Sequence, residues 1–185
     1  MVTTIPSPPP SHYPTPIKAP RGHRSVAAYL SRRLTLGINR MMVTISQERI
    51  VTNITGGCMC GQVRYTITAE PSRSWLCHCR DCQRRSGSSF EPLMSFPAES
   101  VGIQGNLKSF DMLGGSGQVL HRRFCPNCGS GVFAQSAARP GSIVVLAGTL
   151  DDPAVFAPTI EVFCDDAQPW VHAGSERQRF PKMPT

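Results

Sequence analysis

Seven of the chain's eight cysteines fall into three tight groups: Cys58-Met-Cys60, Cys77-His-Cys79-Arg-Asp-Cys82 and Cys125-Pro-Asn-Cys128. No other feature limits the possible folds so strongly, because thiolates one or two residues apart converge on one cation while a short turn holds them. Zinc favours that arrangement, with four ligands at tetrahedral corners and sulfur among its preferred donors. Seven sulfurs are one short of two closed sites. The sequence therefore predicts a structural zinc held by four cysteines and a second zinc held by three, with one coordination position free.

Eight cysteines would also suffice for four disulfides in a secreted protein. Against that, the N-terminus has no continuous apolar stretch of the secretory kind. Cysteines one residue apart also rarely bridge each other, because so short a loop is strained. Metal ligation is the better use of these residues, and a reducing, cytoplasmic setting follows from it. The longest apolar run, Ile143-Val-Val-Leu-Ala147, is far too short to span a bilayer, and no membrane role is expected.

The net charge of +7 suggests nucleic acid as a partner, but the charge is unevenly placed. Lys18, Arg21, Arg24, Arg32, Arg33 and Arg40 lie in residues 1–47, which contain no acid. The other thirteen basic residues face all twelve acidic ones, so the body of the chain stands at +1. Any nucleic-acid contact is therefore expected through the leader alone.

Residues 1–42 are expected to be a disordered, proline-rich basic leader, since seven prolines by position 20 sit among small polar residues. Val26, Leu30 and Leu34 recur every four residues beside Arg24, Arg32 and Arg33, a short basic amphipathic pattern. An acid-free segment of this kind fits a mitochondrial transit peptide. Alternatively, translation starts at Met41 or Met42, or the leader is a functional tail.

Residues 43–185 are expected to form one mainly β domain. Val63, Tyr65 and Ile67 alternate with polar residues, the period of a half-buried strand. Ile143–Gly148 suggests a more fully buried strand, and Ile160, Val162 and Cys164 suggest another. Val101 with Ile103, and Val119 to Phe124, add two more, with a glycine-rich turn at 114–117. Only Asp81 to Arg85 looks helical.

In Cys125-Pro-Asn-Cys128-Gly129 the proline stiffens the turn and Gly129 is free to take positive φ. Gly56-Gly-Cys-Met-Cys-Gly61 has the same logic, with glycines where backbone must approach a metal. Two such pairs far apart in sequence favour one four-sulfur site, with a redox dithiol as the alternative. In the triplet, Cys82 reaches back from a helical turn to join Cys77 and Cys79. The fourth ligand is left open between water, a substrate thiolate, His78, His121 and His172. His78 lies between two ligands and is expected to point away from their ion. Cys164 is expected to be a buried, inert core thiol.

An open zinc position either polarises a carbonyl or holds an incoming thiol as its thiolate. Three anionic sulfurs offset the zinc charge, so thiol chemistry suits this set better than water activation. Arg80, Arg84 and Arg85 beside the triplet, and Arg122 and Arg123 before the last pair, suit a small carboxylate-bearing molecule. Ser86-Gly-Ser-Ser89 offers hydroxyl and backbone donors. Arg84 and Ser86 are the candidate substrate-binding residues.

Together, Gly56-Gly-Cys-Met-Cys-Gly-Gln-Val-Arg-Tyr65, Cys77-His-Cys-Arg-Asp-Cys-Gln-Arg-Arg-Ser-Gly-Ser88 and Arg123-Phe-Cys-Pro-Asn-Cys-Gly129 resemble the glutathione-dependent formaldehyde-activating enzyme family, which includes the centromere protein V domain. Gln168-Pro-Trp170 and Phe180-Pro181 are similar to its C-terminal end, so the likeness runs over roughly residues 50–182 and omits the leader. The resemblance implies a zinc-bound domain of several small antiparallel sheets. It implies that Cys58, Cys60, Cys125 and Cys128 share the structural ion, and that Cys77, Cys79 and Cys82 hold the catalytic one. It also implies a carbon–sulfur lyase that joins formaldehyde to glutathione, giving S-hydroxymethylglutathione. The competing expectations are a zinc-stabilised scaffold of the centromere protein V type, acting through its basic leader, and a domain whose metals serve stability alone.

Overall fold

The computed structural model describes residues 53–171 and 176–184. The leader, the first residues of the expected β domain (43–52) and His172 lie outside those residues. The described residues form eleven strands, one α-helix and several single-turn 3-10 segments, which bears out the mainly β expectation.

Two sheets carry the fold. The smaller has three antiparallel strands, β1 (Ile54–Gly57), β2 (Arg64–Ile67) and β5 (Val101–Gln104), in the order β1-β2-β5. The larger comprises β3 (Arg73–Cys77), β4 (Glu91–Pro97), β6 (Lys108–Leu113), β7 (Val119–Phe124), β8 (Gly131–Ser136), β9 (Ser142–Leu146), β10 (Ile160–Val162) and β11 (Gln178–Arg179). Its strand order is β11-β10-β3-β4-β9-β8-β7-β6. All pairs are antiparallel except at one edge, where β10 runs parallel to both β3 and β11. The single α-helix, α1 (Arg80–Ser86), follows β3.

Strand alternation divides the core in two. On β4, Met94 and Phe96 face one side and Leu93 the other; on β9, Ile143 and Val145 face the first side and Val144 and Leu146 the second. The first face packs against Val63, Tyr65 and Ile67 of the small sheet, as their alternation predicts, and Tyr65 meets Phe133 edge-on with ring centroids 5.2 Å apart. The second face gathers Trp75, Leu93 and Val162 under α1. Each core contains one cysteine group: Cys58 and Cys125 belong to the first, Cys77 and Cys82 to the second.

The third expected strand is shorter than the alternation implied. β10 stops at Val162, because Phe163 turns into the left-handed region, and Cys164 begins a 3-10 turn. Glu161 is not the solvent-facing residue of that strand: it is fully buried. Ile143–Gly148 is also less enclosed than expected, with β9 alternating between buried and half-buried positions.

The glycines at 56 and 57 serve a different close approach from the one expected. A Cβ on Gly56 would overlap the Tyr65 hydroxyl and the Thr149 carbonyl, and one on Gly57 would overlap the Val63 carbonyl. The missing side chains thus admit the neighbouring strand and loop. Tyr65 uses that room to bond Thr149 Oγ1 at 2.9 Å.

The two sheets are stitched by an isolated bridge between Gly56 and Leu150 and by Asp151 N–H donating to Thr55 O at 3.0 Å. Beside them, Arg64 makes a two-pronged ion pair with Asp151, and Thr55 Oγ1 donates to the same carboxylate at 2.7 Å. Arg64 holds the Asp151 carboxyl below its ordinary value, burial opposing. A lowered carboxylate value means stability present above the unfolded range, near pH 4, and lost as pH falls through the folded value. Both side chains are 44% exposed, so the pair is screened and worth about 0.5–1 kcal/mol. Urea unfolding of Asp151→Asn at neutral pH should show that loss in dilute buffer and most of it recovered at about 1 M salt; an equal loss at both salt levels would refute an ionic origin.

Candidate metal centres and an adjoining cleft

Cys58 and Cys60 lie on the turn between β1 and β2. The Cys58 N–H donates to Val63 O at 2.9 Å, and Gly61, with φ of 77°, allows its own N–H to reach Cys58 O at 3.0 Å. Cys125 and Cys128 lie on the turn between β7 and β8, just past a register shift at Arg123/Phe124 that re-aims the chain. There Gly129 takes φ of 74°, as predicted, and donates to Cys125 O at 2.9 Å. Ser130, which the sequence gave no reason to select, joins the two turns: Met59 N–H donates to its hydroxyl, which lies 3.2 Å from Cys128 Sγ.

The four sulfurs of Cys58, Cys60, Cys125 and Cys128 all fall within 4.8 Å of one another. Cys58 and Cys60 are 3.5 Å apart and Cys60 and Cys125 3.7 Å. Tetrahedral zinc–sulfur bonds of about 2.3 Å imply sulfurs about 3.8 Å apart, while a disulfide needs about 2.05 Å. The spacing fits a shared ion, and all eight cysteines are free thiols. Burial pushes the Cys128 thiol up, but Ser130 and Cys60 bring it down to about 6. The Cys58 thiol ends below its ordinary value, with burial outweighed by the Val63 N–H and the neighbouring thiols.

The sulfurs of the second group, Cys77, Cys79 and Cys82, also lie within 4.8 Å of one another. Cys77 ends β3, Cys79 caps α1 and accepts from Cys82 N–H at 3.4 Å, and Cys82 sits in the first helical turn. Hydrogen bonds from Cys77 and Cys82 hold the Cys79 thiol down at about 2, whereas Cys77 is pushed up to about 12, chiefly by Cys79. Cys82 is pushed up by the same two neighbours and by burial. Three anions in this space repel, so only one thiol ionises readily without a cation.

Among the described residues no fourth His, Cys, Asp or Glu completes this triplet. His78 points away as expected, with Nε2 3.1 Å from Glu161 Oε2. His121 sits in a surface pair with Asp111 at 2.9 Å. Glu91, opposite Cys77 on the neighbouring strand, is 1% exposed and neither of its oxygens has a hydrogen-bond partner. Burial pushes its carboxyl up, against the pull of Arg85 and Cys82. No sequence pattern marked Glu91; only the register of β4 against β3 brings it here.

The five arginines expected near the site separate. Arg80 and Arg84 line a cleft of about 350 Å³, with Ser88, Ser89, Gln168 and Trp170. Arg85 instead turns inward, donating to Phe133 O at 3.0 Å and standing 3.6 Å from Glu91. Arg122 is buried and Arg123 donates to Gln135 at 3.1 Å, so neither faces the cleft. The Ser86 hydroxyl is spent locally, donating to Cys82 O at 2.8 Å, and does not line the cleft. Gln83 and Gln168 were missed; Gln83 bonds His78 O at 2.5 Å and Asp166 O at 2.9 Å, and Gln168 donates to Gln83 at 3.1 Å. Cys164 is half-buried, not buried, and is adjacent to His78 and Glu161.

If each cysteine group holds one ion, their loss should differ. Cys125→Ser is expected to remove one metal equivalent and abolish cooperative unfolding, since Cys125 ties two hairpins inside the larger core. Cys82→Ser should remove one equivalent and leave a cooperative, destabilised fold. Elemental analysis with thermal melting checks both, and two equivalents retained by either variant would be incompatible with these ligand sets.

No helix among the described residues is long and apolar enough to cross a membrane. A crystal structure of a Rhodobacter sphaeroides protein is similar at 22% identity and a TM-score of 0.43, covering 52% of this chain and 87% of that one. The sequence model of the glutathione-dependent formaldehyde-activating enzyme family matches residues 53–166. With that match spanning more than half the chain, and both cysteine groups inside it, the protein belongs to the glutathione-dependent formaldehyde-activating enzyme family.

Proposed function

We propose that the protein is a zinc-dependent carbon–sulfur lyase that interconverts S-hydroxymethylglutathione with glutathione and formaldehyde, or handles a closely related thiol adduct. The observation that carries this is the three-sulfur group, which lacks a fourth protein ligand among the described residues; Arg80 and Arg84, interleaved with Cys79 and Cys82 along the chain, line a cleft that none of the three cysteines lines. Cys58, Cys60, Cys125 and Cys128 would hold the structural ion, and Cys77, Cys79 and Cys82 the second. A zinc held by those three sulfurs would stabilise an incoming thiol as its thiolate.

The remaining work falls to the chain. Arg80 begins α1 directly after Cys79, and Arg84 follows one turn later, so both guanidinium groups can clamp the carboxylates of a glutathione-sized ligand. Ser88 and Ser89 offer hydroxyls, and Trp170, 68% exposed, offers an apolar wall that a ligand would cover. Held there, the thiol sulfur adds to the aldehyde carbon; the carbonyl π pair moves to oxygen, which takes up the proton the thiol gives. The reverse step breaks that carbon–sulfur bond and restores both reactants.

Exchange spectroscopy by NMR should show faster interconversion of free formaldehyde and its glutathione adduct with protein than without it. Arg84→Ala should raise KM by about tenfold with a smaller change in kcat, the loss of one charge-assisted contact. An exchange rate equal to the spontaneous one, with both metals present, would rule out this reaction.

A further inference from the structure

His78, Glu161 and Cys164 form a cluster that the proposed reaction leaves unused. A ring nitrogen of His78, a carboxylate oxygen of Glu161 and the Cys164 sulfur lie within 4.8 Å of one another. His78 and Glu161 are fully buried, whereas Cys164 is half-buried and within reach of solvent. Glu161 is firmly clamped: Oε1 accepts from Arg177 Nε at 2.8 Å, and Oε2 lies 3.1 Å from His78 Nε2 and 3.7 Å from Arg179 Nε. His78 Nε2 is engaged by that carboxylate, which leaves the other ring nitrogen, Nδ1, outside the pair. That buried Nδ1 has no hydrogen-bond partner among the described residues.

Two further observations favour thiol chemistry here over a third metal ion. Arg177 and Arg179 already neutralise Glu161, so an added cation would face two guanidinium groups at close range. The backbone is also strained at the thiol: Phe163, with φ of 57° and ψ of 41°, is the one non-glycine residue with positive φ among the described residues. A bulky residue persists in that region where the surroundings over-determine it. Here it breaks the line of β10 and starts a new turn at Cys164.

We propose that Cys164 is a nucleophilic thiol, positioned by the His78–Glu161 pair, that forms a mixed disulfide with a small carboxylate-bearing disulfide. The Cys164 sulfur attacks one sulfur of that molecule, a new sulfur–sulfur bond forms and the old one breaks. The departing thiol takes the electron pair and the proton that Cys164 gives up. Cys164 is oxidised and one half of the small disulfide is reduced, so no other oxidant enters. Arg179, 47% exposed, is available to an incoming carboxylate. The same turn reaches α1 through the Gln83–Asp166 hydrogen bond. The inference is independent of the carbon–sulfur reaction.

The test incubates the metal-loaded full chain with glutathione disulfide and follows native intact mass, peptide mapping and metal content together. One glutathionyl group per chain is expected, on Cys164, formed at least about tenfold faster than on free cysteine at the same pH. The adduct should be released by reductant, be absent from Cys164→Ser and leave the metal content unchanged. In Glu161→Gln the rate should fall to that of free cysteine, with metal content kept. Should that variant not fold, the wild-type rate against free cysteine decides. A wild-type rate no faster than free cysteine, an unchanged rate in folded Glu161→Gln, or adducts on Cys77, Cys79 or Cys82 with metal loss would overturn the proposal.

Discussion

Sulfur crowding governs this molecule. Thiols 3.5 and 3.7 Å apart in the first group, and three within 4.8 Å in the second, cannot all carry charge in a protein interior without a compensating cation. The split values of the triplet express that conflict, with Cys79 drawn down and Cys77 and Cys82 driven up. A divalent ion would remove the conflict and turn repulsion into ligation, and metal affinity would then become part of the folding free energy. The hydrophobic packing surrounds both groups. Cys58 and Cys125 sit among Tyr65, Phe96 and Phe133, and Cys77 and Cys82 among Trp75, Leu93 and Val162.

The two groups differ in what surrounds them. The four-sulfur group joins two hairpin turns belonging to different sheets, and Ser130 links the turns directly. It closes a frame. The three-sulfur group lies where β3 meets α1, at the side of the large sheet where strand pairing changes from antiparallel to parallel. Parallel pairing puts Val162 opposite Cys77 and lets Val162 O take the His78 N–H at 3.0 Å, which keeps the backbone between Cys77 and Cys79 extended. A single turn of helix can then bring Cys82 back to both.

Much of the metal framework was legible in sequence because cysteine spacing is a local property. The same holds for β2, marked by the alternation of Val63, Tyr65 and Ile67, and for Gly129, whose positive φ a turn after the second cysteine demands. What escaped was long-range. Glu161 occupies an exposed-looking position in an alternating run, yet it is buried because His78, 83 residues earlier, and Arg177 both close on it. Arg85 looked like a partner of Arg84, but adjacent helical residues point about 100° apart, which sends one to the cleft and the other to Glu91. Glu91 carries no local signal at all; strand register alone sets it opposite Cys77.

Helix α1 shows how seven residues can serve three neighbours at once. Cys79 and Cys82 are three apart and meet over the first turn, while Arg80 and Arg84 are four apart and line one cleft. Gln83 and Arg85 take the remaining directions, Gln83 toward the His78 and Asp166 carbonyls and Arg85 toward Phe133 and Glu91. Gly87, in the left-handed region at φ of 65°, ends the helix before another turn could cover the cleft. Lengthening α1 would bury Ser88 and Ser89 in helix, and shortening it would remove Arg84. The helix runs past the last sulfur, to the length that the cleft requires.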